Sequence, residues 1–339
     1  MKSDSASSPS VHWPRRILLG FVLVVLVGAI AGFIYENVAE ARDQRFNPMP
    51  GRLVEVNGHK MHIVCTGQGS PTVIFDSGLG DSFLSWRKVQ PQISTFTRAC
   101  SYDRAGLGYS EPSDEPRTSK QIASELHSLL RAADIRPPFI LVGHSMAGYD
   151  VRVYANDYPS QVVGILLVDA SHPDQENRFP VELKNLEGSF RREEQFLNYT
   201  MPFGIPRLLG LCEDDPVVRA AECNWNSMRE KLAEDRSFAE SAAEAAKAGP
   251  FGDMPLAVLS HDPDKLYTEL SPDIAKSTNK SWEKMQEELA HLSTHGTQTI
   301  SKGSSHYVQF DNPDLVISTV HNVLEQARNL QGPVASKTQ

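Results

Sequence analysis

From Arg52 onward the apolar positions come in short runs separated by turn residues. Leu53-Val54-Glu55-Val56 and Lys60-Met61-His62-Ile63-Val64 flank Asn57-Gly58, a dipeptide suited to the left-handed backbone of a two-residue hairpin, so this stretch reads as strand, turn, strand. Further short apolar runs follow at residues 72–75, 97–102, 139–142, 163–168, 256–259 and 298–300. Between them lie stretches of helical period, such as Ser119 to Ala133, where Ile122, Leu126, Leu129 and Leu130 share one face, and Tyr149 to Tyr158. Strands that alternate with helices in this way predict an α/β architecture, a mostly parallel sheet covered by helices.

The alternation stops between His172 and Pro250, where charged and Ala-rich helical segments such as Arg229 to Ala248 replace strands. The expected organisation is a core formed by 51–171 and 251–330, with a helical cap inserted at 172–250. The charge runs of the cap read as solvated helix faces. The tail, 331–339, reads as disordered.

The N-terminus is of a different kind. A Ser-rich stretch with Lys2, Arg15 and Arg16, expected to be a disordered cytoplasmic segment over 1–16, precedes Ile17 to Ile34, eighteen residues without a charge. As a helix these reach about 27 Å, enough for a bilayer core, whereas the apolar region of a signal peptide is about 7–15 residues. Residues 17–35 therefore read as a transmembrane anchor followed by a linker, 36–50. Ala29-Ile30-Ala31 and Ala39-Glu40-Ala41 have the small-x-small form of a cleavage site and leave a removed signal as the alternative. The paired arginines ahead of the segment place the N-terminus in the cytoplasm and the body outside it, either anchored or, after cleavage, secreted or periplasmic.

Composition adds limits. A chain of 339 residues with 40% hydrophobic and 22% charged positions can bury a large core. Its net charge of −9 comes without a basic block, so nucleic acid is not an expected partner. The four cysteines, Cys65, Cys100, Cys212 and Cys223, form an even set compatible with two bridges in an oxidising compartment, and Cys212 and Cys223 close a short loop. There is no CxxC pair, and His291 and His295, four residues apart, lack a third ligand, so neither a metal nor a cofactor is expected.

The strongest chemical signal is Gly143-His144-Ser145-Met146-Ala147-Gly148, which follows the apolar run Phe139-Ile140-Leu141-Val142. A serine at a sharp strand-to-helix turn needs small residues two before and two after it, and Gly143 and Ala147 meet that demand. The competing reading, an ordinary glycine turn, weakens because partners stand at the required places. A serine hydroxyl needs a neutral imidazole in reach and a carboxylate to orient that imidazole. In the order Ser, acid, His, the base comes late, and His306 in Gly303-Ser304-Ser305-His306-Tyr307 follows the last strand. Two strand ends offer the acid: Asp169, directly after Ile165-Leu166-Leu167-Val168, and Asp264, in Ser260-His261-Asp262-Pro263-Asp264, with Asp262 a third choice. Two backbone N–H groups must hold the oxyanion. Met146 after the nucleophile and Leu79 in Asp76-Ser77-Gly78-Leu79-Gly80 are the candidates. The remaining histidines, among them His62, His127, His144 and His321, read as structural.

Ser77-Gly78-Leu79-Gly80, Tyr102-Asp103-Arg104-Ala105-Gly106-Leu107-Gly108-Tyr109-Ser110, the Ser145 turn and the His306 loop together resemble the α/β-hydrolase superfamily, over roughly Arg52 to Leu330. Two positions depart from its commoner pattern: Ala147 where Gly is usual and Ser77 where His often stands. The resemblance implies an eight-stranded sheet in the order 1-2-4-3-5-6-7-8, which puts Cys65 and Cys100 on adjacent strands, and a structural role near the site for the Asp103 to Ser110 turn. Because Ser145 rather than Asp holds the nucleophile position, it implies acyl transfer to water and argues against the alkyl-enzyme chemistry of dehalogenases and epoxide hydrolases. The expected activity is a carboxylic-ester hydrolase acting through an acyl-enzyme on a small-molecule ester. The alternatives are a thioesterase, amidase, C–C hydrolase or cofactor-free peroxidase on the same residues, or a membrane-tethered binding protein without turnover.

Overall fold

In the computed structural model, which describes residues 13–331, the apolar runs become one sheet of eight strands: β1 (Arg52–Val56), β2 (His59–Thr66), β3 (Thr72–Asp76), β4 (Ala99–Tyr102), β5 (Phe139–His144), β6 (Val162–Val168), β7 (Leu256–Ser260) and β8 (Gly296–Ile300). Their spatial order is β1-β2-β4-β3-β5-β6-β7-β8, with β1, β2 and β4 joined antiparallel and the remaining neighbours parallel. The hairpin turn has positive φ at both central residues, 50° at Asn57 and 92° at Gly58. Cys65 and Cys100 face each other in the β2/β4 register and are bonded, as are Cys212 and Cys223.

Eight longer helices accompany the sheet: α1 (Trp13–Phe46), α2 (Ser119–Ala132), α3 (Ala147–Asp157), α4 (Val181–Thr200), α5 (Pro216–Glu222), α6 (Trp225–Ala245), α7 (Pro272–Ala290) and α8 (Pro313–Gln331). The central strands β3, β5 and β7 are buried along their whole length and β6 at every position but Val163, which is why their sequences are mostly continuous apolar runs rather than alternating. One face packs on α2 and α3 through Ile122, Leu126, Leu129, Val151 and Tyr154, the other on α8 through Val316, Val320 and Leu324. Truncating one of these core leucines to Ala costs about 2–5 kcal/mol. Between β6 and β7 the chain makes no strand and forms α4, α5 and α6, so this helical insertion sits at the carboxyl edge of the sheet.

The N-terminal region differs from the expected organisation in two ways. Residues 13–16, expected to be disordered, already belong to α1, and the expected linker is helical as far as Phe46. The helix continues because its polar end has partners: Glu36, only 4% exposed, pairs with Arg207, and Asp43 with Arg207 and Arg219 of the insertion. The expected disorder of 1–12 and of the tail from 332 lies outside the described residues. An 18-residue window of α1 has a mean hydropathy of 3.0 with none of it buried, so this helix is long and apolar enough to cross a membrane.

Candidate active site

β5 runs into Ser145, whose φ of 54° is in the left-handed region, and α3 begins two residues later. Such a conformation costs a non-glycine residue about 1–3 kcal/mol and persists only where the surroundings hold it. Here the Ser145 N–H donates to the Val168 carbonyl at 3.1 Å, while the Ser145 carbonyl accepts from Gly148 at 3.0 Å and Ser171 at 2.9 Å. The turn is too tight for larger neighbours. A Cβ on Gly143 would lie 2.6 Å from the Ala147 carbonyl oxygen, and one on Gly148 would lie 2.5 Å from the Ala170 Cβ.

Asp169 ends β6, with φ 43° and its side chain out of contact with solvent. Its Oδ2 accepts the His306 Nδ1–H at 2.6 Å. The same carboxylate takes the Trp282 Nε1–H at 2.8 Å, the His261 Nδ1–H at 2.9 Å and the His261 backbone N–H at 3.1 Å. Burial alone would push the carboxyl pKa up, but the hydrogen bonds and charges of His261 and His306 outweigh it and hold Asp169 well below the usual carboxylate range.

The other candidate acids stand elsewhere. Among the described residues the Asp264 carboxylate makes no hydrogen bond to His306, and the Asp264 backbone N–H donates to Asp262 Oδ1 at 3.2 Å. Asp262 shapes the loop that carries His306: its Oδ2 accepts from the Gly303 N–H at 2.7 Å, and its own N–H donates to the Ser304 carbonyl at 2.9 Å. His144 holds that loop from below, its Nε2–H donating to the His306 carbonyl at 3.0 Å. Complete burial and the neighbouring His306 push the His144 pKa down to about 3, so this imidazole is neutral.

The backbone N–H groups of Leu79 and Met146 have no hydrogen-bond partner among the described residues, and both residues line the cavity that also exposes Ser145 and His306. The loop carrying Leu79 is clamped by buried Arg104. Its guanidinium donates to the carbonyls of Ser77 and, at 2.6 Å, Gly78, to Asp76 Oδ1 at 2.8 Å, and to both oxygens of Glu234 on α6 at 2.6 and 2.9 Å. Glu234 closes the circuit by accepting the Gly80 N–H at 3.0 Å. Next to it, the Asp103 carboxylate accepts from Phe83 at 2.7 Å and Tyr109 at 3.0 Å, which fixes the turn down to Ser110.

The cavity holds about 410 Å³. Its walls are mainly apolar, with Phe179, Leu183, Phe190, Phe238, Tyr267 and Trp282 prominent, and its polar lining is acidic, with Glu176, Glu187, Glu194, Asp235 and Glu269 against Arg191. The sequence reading missed His261, Asn279 and Trp282 as a group. The available signal was the position of His261, one residue past the end of β7 and so at the same sheet edge as Asp169. A serine, an imidazole with one ring nitrogen held by a carboxylate, and two unpaired N–H groups in one cavity can together move a proton and hold a developing oxyanion.

Comparison with known proteins agrees with the fold. The sequence profile of the Alpha/beta hydrolase family matches residues 73–319. The Bacillus subtilis protein YqjL is 26% identical over 260 residues, which are 76% of this chain and 85% of that one. The chain spans about half the length of several other curated proteins it matches. Among solved structures, a haloalkane dehalogenase DbeA-M1 loop variant from Bradyrhizobium elkanii superposes with a TM-score of 0.62 at 18% identity, covering 83% of this chain and 97% of that one. A thermophilic esterase from Thermogutta terrifontis superposes with a TM-score of 0.56 at 18% identity, covering 81% and 98%.

Proposed function

Since the chain belongs to the Alpha/beta hydrolase family, we propose that it is a serine hydrolase of carboxylic esters, with Ser145 as nucleophile, His306 as general base and acid, and Asp169 as the orienting carboxylate. The fold does not choose the reaction, because a dehalogenase and an esterase share it. The nucleophile position does. A serine there forms an acyl-enzyme that water can hydrolyse, whereas halide displacement through an alkyl-enzyme ester needs a carboxylate.

In this reading Ser145 Oγ attacks the ester carbonyl and passes its proton to His306 Nε2. The N–H groups of Leu79 and Met146 hold the oxyanion. The intermediate collapses as His306 returns the proton to the leaving alcohol, and water, deprotonated by His306, then attacks the acyl-enzyme and releases the acid. Asp169 keeps the proton on Nδ1 so that Nε2 faces the cavity. The observation that carries the reading is the 2.6 Å bond from His306 Nδ1 to Asp169, at the cavity where Ser145 is held in the left-handed conformation. The helical insertion then acts as a cap whose apolar walls receive the acyl group. We further read α1 as an uncleaved anchor with the catalytic body outside the cytoplasm: cleavage after Ala41 would strip Glu36 from Arg207, and cleavage after Ala31 would cut the helix where Gly32 packs against Phe203 of the insertion.

The test is a fluorophosphonate probe on the full chain. Labelling that maps to Ser145 and vanishes in Ser145→Ala supports the assignment. A folded protein that stays unlabelled and fails to turn over p-nitrophenyl esters refutes it.

A further inference from the structure

The surface of the cap beside α1 carries a run of exposed leucines. Directly after α4 the chain passes through Phe203 and a one-turn helix, Ile205–Leu208, to Leu211, and on this segment Leu208, Leu209 and Leu211 are 66%, 63% and 55% exposed. Phe196 and Tyr199 on the last turns of α4 continue the patch at 58% and 74%. Both ends of the segment are tied down. Arg207 bonds Glu36 at 3.2 Å and also Asp43 on α1, and Cys212 is bonded to Cys223 at the end of α5.

The height of this patch along α1 is fixed by contact. A Cβ on Gly32 would run into the Phe203 carbonyl oxygen, and one on Gly204 would lie 2.7 Å from the Tyr35 ring. Ile34, Val38, Gly210 and Cys212 line a shared groove. The exposed leucines are therefore level with the last apolar and first polar turns of α1, the depth at which a spanning helix passes from hydrocarbon to headgroups, a zone about 5–7 Å thick. Residues 213–215, Glu-Asp-Asp, follow at once; Asp215 is paired with Arg87 at 2.6 Å, which leaves Glu213 and Asp214 to oppose an anionic surface.

We infer that the Phe203 to Leu211 segment of the cap is a second membrane contact, its leucines inserted into the headgroup and acyl boundary of the bilayer that α1 spans, and that it enters by apolar burial rather than by attraction to anionic lipid. The inference rests on reading α1 as a membrane anchor. Its consequence is positional: α4 begins in the cavity wall at Leu183 and ends at this contact, so one helix joins the catalytic pocket to the bilayer surface.

The test uses the full chain in phosphatidylcholine nanodiscs. The four native cysteines are bonded, so Leu209→Cys, Gly28→Cys and Glu325→Cys can each carry one nitrobenzoxadiazole label; Gly28 lies on α1, and Glu325 lies on α8, which packs against the sheet. Blue-shifted emission at 209 with quenching by headgroup-region doxyl lipids several-fold above that at 325, unchanged between 50 mM and 500 mM salt, is the expected result. Quenching at 28 with none at 209 overturns the inference and leaves the anchor standing. Quenching at neither overturns both. A label at 209 that lipid does not quench, but that becomes shielded as protein concentration rises in detergent, identifies a second copy as the occupant and also overturns it.

Discussion

His261 is bonded to Asp169 twice, through its backbone N–H at 3.1 Å and through its ring Nδ1 at 2.9 Å. The other ring nitrogen, Nε2, meets Asn279 Oδ1 at 3.0 Å, and Asn279 is oriented because its amide group donates to the Pro263 carbonyl at 2.7 Å. Both nitrogens of the ring thus face acceptors, which only an imidazolium satisfies. The geometry favours a ring protonated on both nitrogens behind the carboxylate that holds His306, and the carboxylate is shared between two histidines.

This pair gives stability a defined pH dependence. Burial would lower the His261 pKa, but Asp169 and Asn279 raise it above its ordinary 6.5. The folded protein therefore holds this proton where the unfolded chain has lost it. The contribution is full below 6.5 and disappears as pH rises through the folded value. Asp169 has the opposite sign, its contribution present above 3.8 and lost as pH falls through its depressed folded value. Thermal unfolding of the full chain in detergent should show stability from this pair at its greatest between those two values, with a decline above neutrality. His261→Gln should lower the Tm near pH 5.5, where breaking a buried pair costs about 3–5 kcal/mol, and should flatten the alkaline decline. An alkaline decline of the same steepness in the variant would refute the charged His261.

The choice of acid is tested by two substitutions of the same kind. Asp169→Asn removes the acceptor that fixes the His306 tautomer and should lower kcat on an activated ester by about 10⁴. Asp264→Asn touches no bond to His306 and should stay within about threefold of wild type. A comparable loss in both variants, or none in Asp169→Asn, would sink the assignment.

Most of the sheet was legible because its central strands are buried on both faces, which writes them as continuous apolar runs, and because Asn57-Gly58 admits few turns. The tight turn at Ser145 and the late loop that brings His306 to the same cavity were legible for a similar reason, since small residues flank such a turn and the loop follows the last strand. The acid stayed open between Asp169 and Asp264 because both follow strands, and only the folded chain shows that the bond to His306 Nδ1 comes from Asp169. His261, Asn279 and Trp282 were missed because their roles depend on α7 folding back over the sheet edge, a contact with no periodic signature. The continuation of α1 past residue 35 was hidden likewise: its polar end looks like a linker until Arg207 and Arg219 are brought to it.

Arg104 and Glu234 link the helical insertion to the loop proposed to hold the oxyanion, since the guanidinium holds the consecutive carbonyls of Ser77 and Gly78 just before Leu79 and Glu234 comes from α6. Glu234→Gln keeps the shape but removes the charge, so the loop should lose the registration that aims the Leu79 N–H. The expected result is a fall in kcat of about 10-fold to 100-fold with KM changed far less, because the oxyanion forms only in the transition state. A variant that raises KM and spares kcat would place Glu234 in substrate binding instead.

The acidic lining of the cavity should make selectivity depend on pH. Glu187 is half-buried, and burial, followed by the nearby Glu176, raises its pKa to about 7 against the opposing pull of Arg191 and Lys184. Asp235, also raised chiefly by burial, lines the same wall. As pH rises through 7, Glu187 loses its proton and the cavity gains a negative charge, which favours a cationic ester over its neutral isostere. A pH effect on the shared chemical step acts on both esters alike and cancels in the ratio of their kcat/KM values. That ratio should rise about threefold to tenfold between pH 6 and pH 8, the range expected for a partly solvated charge a few ångströms away. Glu187→Gln should hold it constant. A ratio that climbs equally in wild type and variant would assign the effect to another group, and a flat ratio in wild type would mean that Glu187 does not face the bound substrate.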